Sequence, residues 1–187
     1  MEDGTSTLVS DAAAPHGDPP VDPSVFRKVM GAFASGVTVV TTVAGGEVRG
    51  MTVSAFMSGS LEPPLCVVSI RKAARMHPLL LEAGHFGVSI LAKHQERISA
   101  HYAGSPASDF GPEYVWAGRT PVLAGTAAVI AADIIALHDC GDHTLLIGHI
   151  RHLATSGLPP LLVHQGRYAA VSHAAAEPSS EWVVDFW

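Results

Sequence analysis

The 187-residue sequence predicts a mainly β fold with a few helices, its seven or eight strands closing into a barrel or nearly so. Three observations predict it. Short runs of β-branched and apolar residues recur along the chain, as at 37–43, 65–70 and 86–91. Turn signals separate them, among them Gly45-Gly46, Gly141-Asp142 and Gln165-Gly166. The helical stretches are few and do not alternate with strands as a doubly wound parallel sheet requires.

Residues 1–22 are rich in Ala, Pro, Gly and Asp and lack a charged leader with an apolar core, so they read as a disordered tail rather than a signal peptide. One domain follows over 23–172, long enough to bury a real core. Ser24 is a good N-cap, and Val25, Val29, Met30 and Phe33 can share one face of a helix over 24–34, with Gly36 ending it. Residues 37–43 make a strand, Ala44-Gly45-Gly46-Glu47 a hairpin turn and 48–53 the returning strand. Pro63-Pro64 cannot sit inside a central strand, whereas 65–70 is apolar on both faces and reads as a buried one. A helix over 75–83 turns Met76, Leu79 and Leu80 inward and is closed by Gly84. Residues 86–91 form another strand and 94–102 a short helix. The stretch 105–119 is rich in Gly, Pro and Ser and carries Phe110, Tyr114 and Trp116; it reads as a long loop of the kind that covers a site. Two long strands within 126–153 flank Cys140-Gly141-Asp142-His143. A last hairpin joins 161–164 to 167–171 about Gln165-Gly166, and 173–187 is a tail bearing Trp182, Phe186 and Trp187.

Composition narrows the partners. Hydrophobic residues make up 48% and charged residues 15%, which suggests surface covered in an oligomer. The net charge of −6 comes with no basic run, so nucleic acid is not expected. No apolar segment reaches the roughly 20 residues that span a bilayer, and a cytoplasmic protein is expected. Cys66 and Cys140 stand in no metal spacing, and each lies in or beside an apolar run, as buried thiols do. His138 and His143 lie five apart across a turn. His149 and His152, three apart on a strand, point to opposite faces, so no metal site is predicted.

An ordered series of motifs carries the functional reading. It consists of Phe26-Arg27-Lys28-Val29-Met30, then Phe33-Ala34-Ser35-Gly36-Val37-Thr38-Val39-Val40-Thr41-Thr42, Gly50-Met51-Thr52-Val53-Ser54-Ala55-Phe56 and Ser60-Leu61-Glu62-Pro63-Pro64-Leu65. Phe86-Gly87-Val88-Ser89-Ile90-Leu91 with Gln95, and Gly141-Asp142-His143-Thr144-Leu145-Leu146-Ile147-Gly148, complete it. Each motif is weak by itself. In this order and spacing, over 24–168, the series resembles the flavin-reductase-like family, the short-chain NAD(P)H:flavin oxidoreductases that serve two-component monooxygenases. The resemblance implies an FMN-binding split β-barrel and a homodimer with flavin (FMN or FAD) at its interface. It also implies hydride transfer from NADH or NADPH to that flavin.

Physical chemistry gives these residues work to do. A flavin needs a flat apolar slot, hydrogen bonds along its pyrimidine edge and donors for its phosphate. Thr52, Val53, Ser54 and Ala55 look like the segment that meets the ring edge, where donors stabilise negative charge on reduction. Ser69, Ile70, Arg71 and Lys72 end a strand with a hydroxyl and two cations, a phosphate clamp or a solvated basic turn. Arg75 and His77 open the next helix, whose amides can add to the clamp. In relatives a small hydroxyl residue often stands near His77, and Asn often stands where this chain has Ser89, which can reach the flavin tail from its strand. The resemblance places Gly141-Asp142-His143 beside the flavin face on which the nicotinamide stacks. There His143 can hydrogen-bond the carboxamide or diphosphate or shuttle a proton, with Asp142 orienting it. Tyr168 suits either the nicotinamide side or the core. The chain departs from its relatives at His149, where many have Glu, and at Ala131-Ala132-Asp133, where they often place an acid and a cysteine.

The leading expectation is a flavin reductase that releases reduced flavin to a separate monooxygenase. The alternative retains flavin and acts directly on an organic substrate in a biosynthetic pathway. A third reading, a non-catalytic flavin or haem module, is separated from both by its visible spectrum.

Overall fold

The computed structural model describes residues 19–105 and 110–172. The elements run α1 (Pro23–Met30), β1 (Ser35–Gly36), β2 (Thr38–Ala44), β3 (Glu47–Val53), β4 (Phe56–Ser60), β5 (Leu65–Arg71), α2 (Met76–Ala83), β6 (His85–Ile90), α3 (Glu96–Tyr102), β7 (Tyr114–Ala117), β8 (Thr120–Leu123), β9 (Ala128–Cys140), β10 (His143–Thr155), β11 (Leu162–His164) and β12 (Arg167–Ala169). The fold is mainly β with three helices among the described residues. Seven antiparallel strands form the main sheet in the order β3-β2-β6-β9-β10-β5-β4; β1-β11-β12 and β7-β8 form two small ones.

The order of the main sheet dictates its shape. β3 and β4 are its two edges, yet only Ser54 and Ala55 separate them in sequence. Laid flat, seven strands would hold those edges roughly 29 Å apart. Three peptide steps, from Val53 to Phe56, reach at most about 11 Å. The sheet therefore curls strongly and brings its edges together at the Ser54-Ala55 link. It is not closed by hydrogen bonds, because no pairing joins β3 to β4 among the described residues.

The curl encloses the core. Val40, Val68, Ile70, Phe86, Val88, Ala132 and Leu146 fill its inner face, and Met76 and Leu80 of α2 pack into the same cluster. Leu80 is fully buried, as the 3.6-residue spacing of the helix predicts. Gly84 in the left-handed region caps α2. A second cluster, with Val37, Val39, Leu91, Leu123 and Leu161, lies on the other side of β2, so that strand is covered on both faces.

Several expectations change. The N-cap of α1 is Asp22, whose carboxylate accepts from the Ser24 and Val25 amides at 2.7 and 3.1 Å, and the helix stops at Met30, not residue 34. It buries none of its residues; Val25, Phe26, Val29 and Met30 are each more than half exposed. β4 forms on a weak local signal, since after Phe56 its Met57-Ser58-Gly59-Ser60 has no β-branched or aromatic residue. The expected loop 105–119 contains β7, which pairs with β8 about Gly118-Arg119. The described residues hold twelve strands, not seven or eight. The aromatic tail bearing Trp182, Phe186 and Trp187, like most of the N-terminal tail, lies outside the described residues. No helix among the described residues is long and apolar enough to cross a membrane.

Candidate functional site

Strand alternation builds the site. In β5, Cys66, Val68 and Ile70 point into the core, so Val67, Ser69 and Arg71 stand on the outer face. In β10, Thr144, Leu146 and Gly148 are buried, which leaves His143, Leu145 and Ile147 outside. The register sets Ser69 opposite Leu145 and Arg71 opposite His143. Directly opposed residues have Cα atoms about 4.5–5.5 Å apart.

On this outer face, against the seam where the edges meet, lies a groove of about 540 Å³. Met30, Phe33, Phe56, Met57, Val67 and Leu145 give it an apolar lining, and Ser35, Ser54 and Ser69 supply hydroxyls. The seam is pinned by the Ser69 amide, which donates to the Ala55 carbonyl at 3.0 Å. The Ser54 and Ala55 amides find no protein acceptor among the described residues. Both residues are exposed, so those two donors are left for water or a ligand. An apolar slot with unspent donors at one edge fits a flat heterocycle edged with acceptors.

One rung beyond the groove, the β9–β10 turn is held by its own charges. Gly141 adopts φ 62°, a left-handed conformation that a side chain resists. Lys72 staples the turn: its amide donates to the Asp142 carbonyl at 2.9 Å and its Nζ to the Gly141 carbonyl at 2.6 Å, and it pairs with Asp139. Asp142 Oδ1 lies 2.7 Å from His143 Nδ1, and Asp142 Oδ2 lies 3.7 Å from Arg71 Nε. The His143 hydrogen bond, chiefly, holds the Asp142 carboxyl below the usual carboxylate range. Asp142 therefore stays ionised until the pH falls through that lowered value, and the orienting bond is lost only below it. An ionised Asp142 requires a proton on His143 Nδ1, which leaves Nε2 for a ligand.

The structure brings together only part of the expected set. Ser54, Ala55 and Ser69 line the groove, and Arg71, Gly141, Asp142 and His143 gather at the next rung. Arg71 and Lys72 are exposed, and each meets a carboxylate of the turn, Arg71 that of Asp142 and Lys72 that of Asp139. Thr52 turns its hydroxyl to the Ser99 carbonyl at 2.7 Å, and Val53 is in the core with its carbonyl accepting from the Thr38 hydroxyl. Ile70 is fully buried, so only its backbone could meet a ligand. Ser89 is also fully buried and accepts from the Leu123 amide at 2.9 Å, which keeps it from the groove. His77 Nε2 meets Thr144 Oγ1 at 2.9 Å. Arg75 lines a different cleft, with Arg49 and Gly50. Tyr168 stands half exposed on β12 opposite Val163 and does not line the groove. Met30, Phe33, Ser35, Phe56 and Leu145, which stand in the motif series without an assigned role, join the site together with Met57 and Val67, which lie outside that series. The signal for Met30 and Phe33 is their apolar spacing, which does not say what they face.

Known proteins resemble this chain along most of its length. The model of the flavin reductase like domain matches residues 30–172. The chain is 41% identical over 157 residues to an NADH-dependent flavin reductase of a Rhodococcus species, covering 82% of this chain and 89% of that protein. It is likewise 41% identical over 145 residues to the reductase component of 4-hydroxyphenylacetate 3-monooxygenase from Thermus thermophilus, covering 76% and 93%. Among solved structures it is similar to the Streptomyces globisporus NADH:FAD oxidoreductase SgcE6 in complex with NAD and FAD fragments. There the TM-score is 0.76 at 34% identity, with 85% of this chain and 100% of that one covered.

Proposed function

Because the chain belongs to the flavin reductase like domain family, we propose that its seam groove is the place of that family's chemistry. The protein is an NAD(P)H-dependent flavin reductase that passes hydride from a nicotinamide to FMN or FAD and supplies reduced flavin to a partner monooxygenase. The observation that carries this is the groove itself, an apolar slot with the unspent Ser54 and Ala55 amides at one edge. Bound flavin supplies the hydride acceptor.

The residues then divide the work. Ser54 and Ala55 donate to acceptors on the ring edge, and the Ser69 hydroxyl adds a third hydrogen bond. Met30, Phe33, Phe56 and Leu145 exclude water from the slot. Asp142 fixes the His143 ring, whose Nε2 meets the nicotinamide carboxamide or carries a proton. No side chain need act as a strong acid, because hydride transfer depends mostly on how the two rings are positioned. The curled sheet, with its edges linked by two residues and unpaired, suits an FMN-binding split β-barrel. The exposed apolar residues of α1 and the outer face of β4, β5 and β10 suit a homodimer with the flavin near its interface.

Steady-state turnover with each pair of nicotinamide and flavin tests the reading, with sedimentation equilibrium run on the same sample. Many turnovers per chain with added free flavin, from a dimer, are expected. Turnover that stops at one equivalent of bound flavin would favour the flavin-retaining alternative. No oxidation of either nicotinamide would sink the reading.

A further inference from the structure

The hairpin end that carries His143 overhangs its sheet on one side. β6 pairs with β9 only from Ala128 to Asp133, so residues 136–140 have β10 as their single strand neighbour among the described residues. Leu137, His138, Asp139 and Cys140 are all exposed. A two-stranded hairpin alone in water is marginally stable at best. On its other side β10 keeps β5 beside it up to the last rung, His143 opposite Arg71. The residue after Arg71 is therefore the next one that can brace the turn.

That residue is Lys72, and it reaches past β10 to β9. Its amide donates to the Asp142 carbonyl at 2.9 Å and its Nζ to the Gly141 carbonyl at 2.6 Å, so both residues of the turn are held through their backbones. Nζ also pairs with Asp139, which stands opposite Thr144 on β9. The hydrogen bond and the charge of the ammonium hold the Asp139 carboxyl below the usual carboxylate range. Both side chains are exposed, and an exposed ion pair alone contributes little. The two carbonyl bonds are what fix the turn itself. From α2, His77 reaches Thr144 and so holds β10 but not β9.

We propose that Lys72 is a positioning residue for the nicotinamide step. It fixes the Gly141-Asp142 backbone and, through Asp142, the His143 ring, without itself touching the nicotinamide. The inference rests on the reading of His143 as the nicotinamide-side group. Asp142 can orient that ring only while its own backbone is held, and a positioning group displaced by about 1 Å loses much of its effect. The same ammonium could instead meet a flavin phosphate, and the two roles make opposite predictions for flavin binding.

Lys72→Met, which keeps the apolar stem and removes the ammonium, separates them. The nicotinamide KM should rise roughly threefold, the size of one exposed hydrogen bond, with kcat changed less. Affinities for FMN and for riboflavin, read from flavin fluorescence, should match the parent's. In the His143→Ala background the same substitution should add nothing, because a residue that acts through His143 has nothing left to position. Hydrogen exchange over residues 135–145 should be several-fold faster in Lys72→Met, which reads the brace without turnover. An unchanged nicotinamide KM overturns the proposal, and so does the same loss with and without His143. Weaker FMN binding with riboflavin unaffected would make Lys72 a phosphate ligand instead. Unchanged exchange would show that the turn holds itself. A parent that oxidises neither nicotinamide would sink the function proposed for the site, and exchange would still decide whether Lys72 braces the turn.

Discussion

The two faces of the main sheet are made by the same strands from alternating residues, and they behave differently. The inner face is finished within one chain. Leu146, Ile70 and Phe86 are buried there, and α2 adds Leu80. The outer face beside β5 and β10 is unfinished, with Val67, Leu145 and Ile147 half-buried, Met57 exposed and an exposed α1 at the groove. The cysteines show the same contrast. Burial pushes the Cys66 thiol on the inner face up to about 11, while Cys140 stands exposed at the β9–β10 turn. Apolar alternation therefore says that a face will be covered, and not whether by the same chain, a second copy or a ligand.

Neighbouring residues on β10 give the sharpest way to break this comparison. Leu146→Ala should cost ~2–5 kcal/mol of stability, read from denaturant unfolding, because it opens a cavity in a closed core. A cost under about 0.5 kcal/mol, the size of an ordinary surface change, would show that the inner face is not the finished one. His143→Ala should leave the fold intact and cut NAD(P)H turnover by roughly 2–10-fold, the range of one positioning hydrogen bond between uncharged groups. Flavin affinity should hold. Asp142→Asn should reproduce part of that loss through the nicotinamide KM, and loss of flavin binding instead would move His143 into the flavin slot. Leu145→Ala, one residue from Leu146 but facing out, should have the smallest effect. Its stability should stay near that of the parent, while flavin affinity falls about fivefold, because the smaller side chain leaves apolar area uncovered in a partly open slot. Equal affinity would place the ring elsewhere on that face.

Much of this was legible in the sequence because it is set by local chemistry. The β-branched run before Gly45-Gly46, the Pro63-Pro64 break and the long hairpin about Gly141-Asp142 all stand where composition put them. Ser54, Ala55, Ser69, Arg71 and the Gly-Asp-His turn do come to one face. What stayed hidden depends on partners distant in sequence. β4 exists because β5 offers it an edge, not because Met57-Ser58-Gly59-Ser60 prefers extension. Ser89 and Thr52 carry polar side chains that suit a ligand, but their hydroxyls go to backbone groups of residues 123 and 99. Arg71 and Lys72 meet the carboxylates of Asp142 and Asp139, about seventy residues further along the chain.

The Ser54-Ala55 link also governs how this chain can be cut and rejoined. Chain ends and inserted segments are tolerated at exposed loop tips, and Gly45-Gly46 at the end of the β2–β3 hairpin is such a tip. Ser54-Ala55 is just as exposed and just as short, yet it is the only direct covalent tie between the two edges of the sheet. New termini placed there would free β3 from β4 and let the sheet relax outward, whereas the same operation at Gly45-Gly46 would leave both edges tethered. A circularly permuted version of this protein opened at the hairpin tip would therefore keep the two edges of its sheet tied together, and one opened at the seam would not.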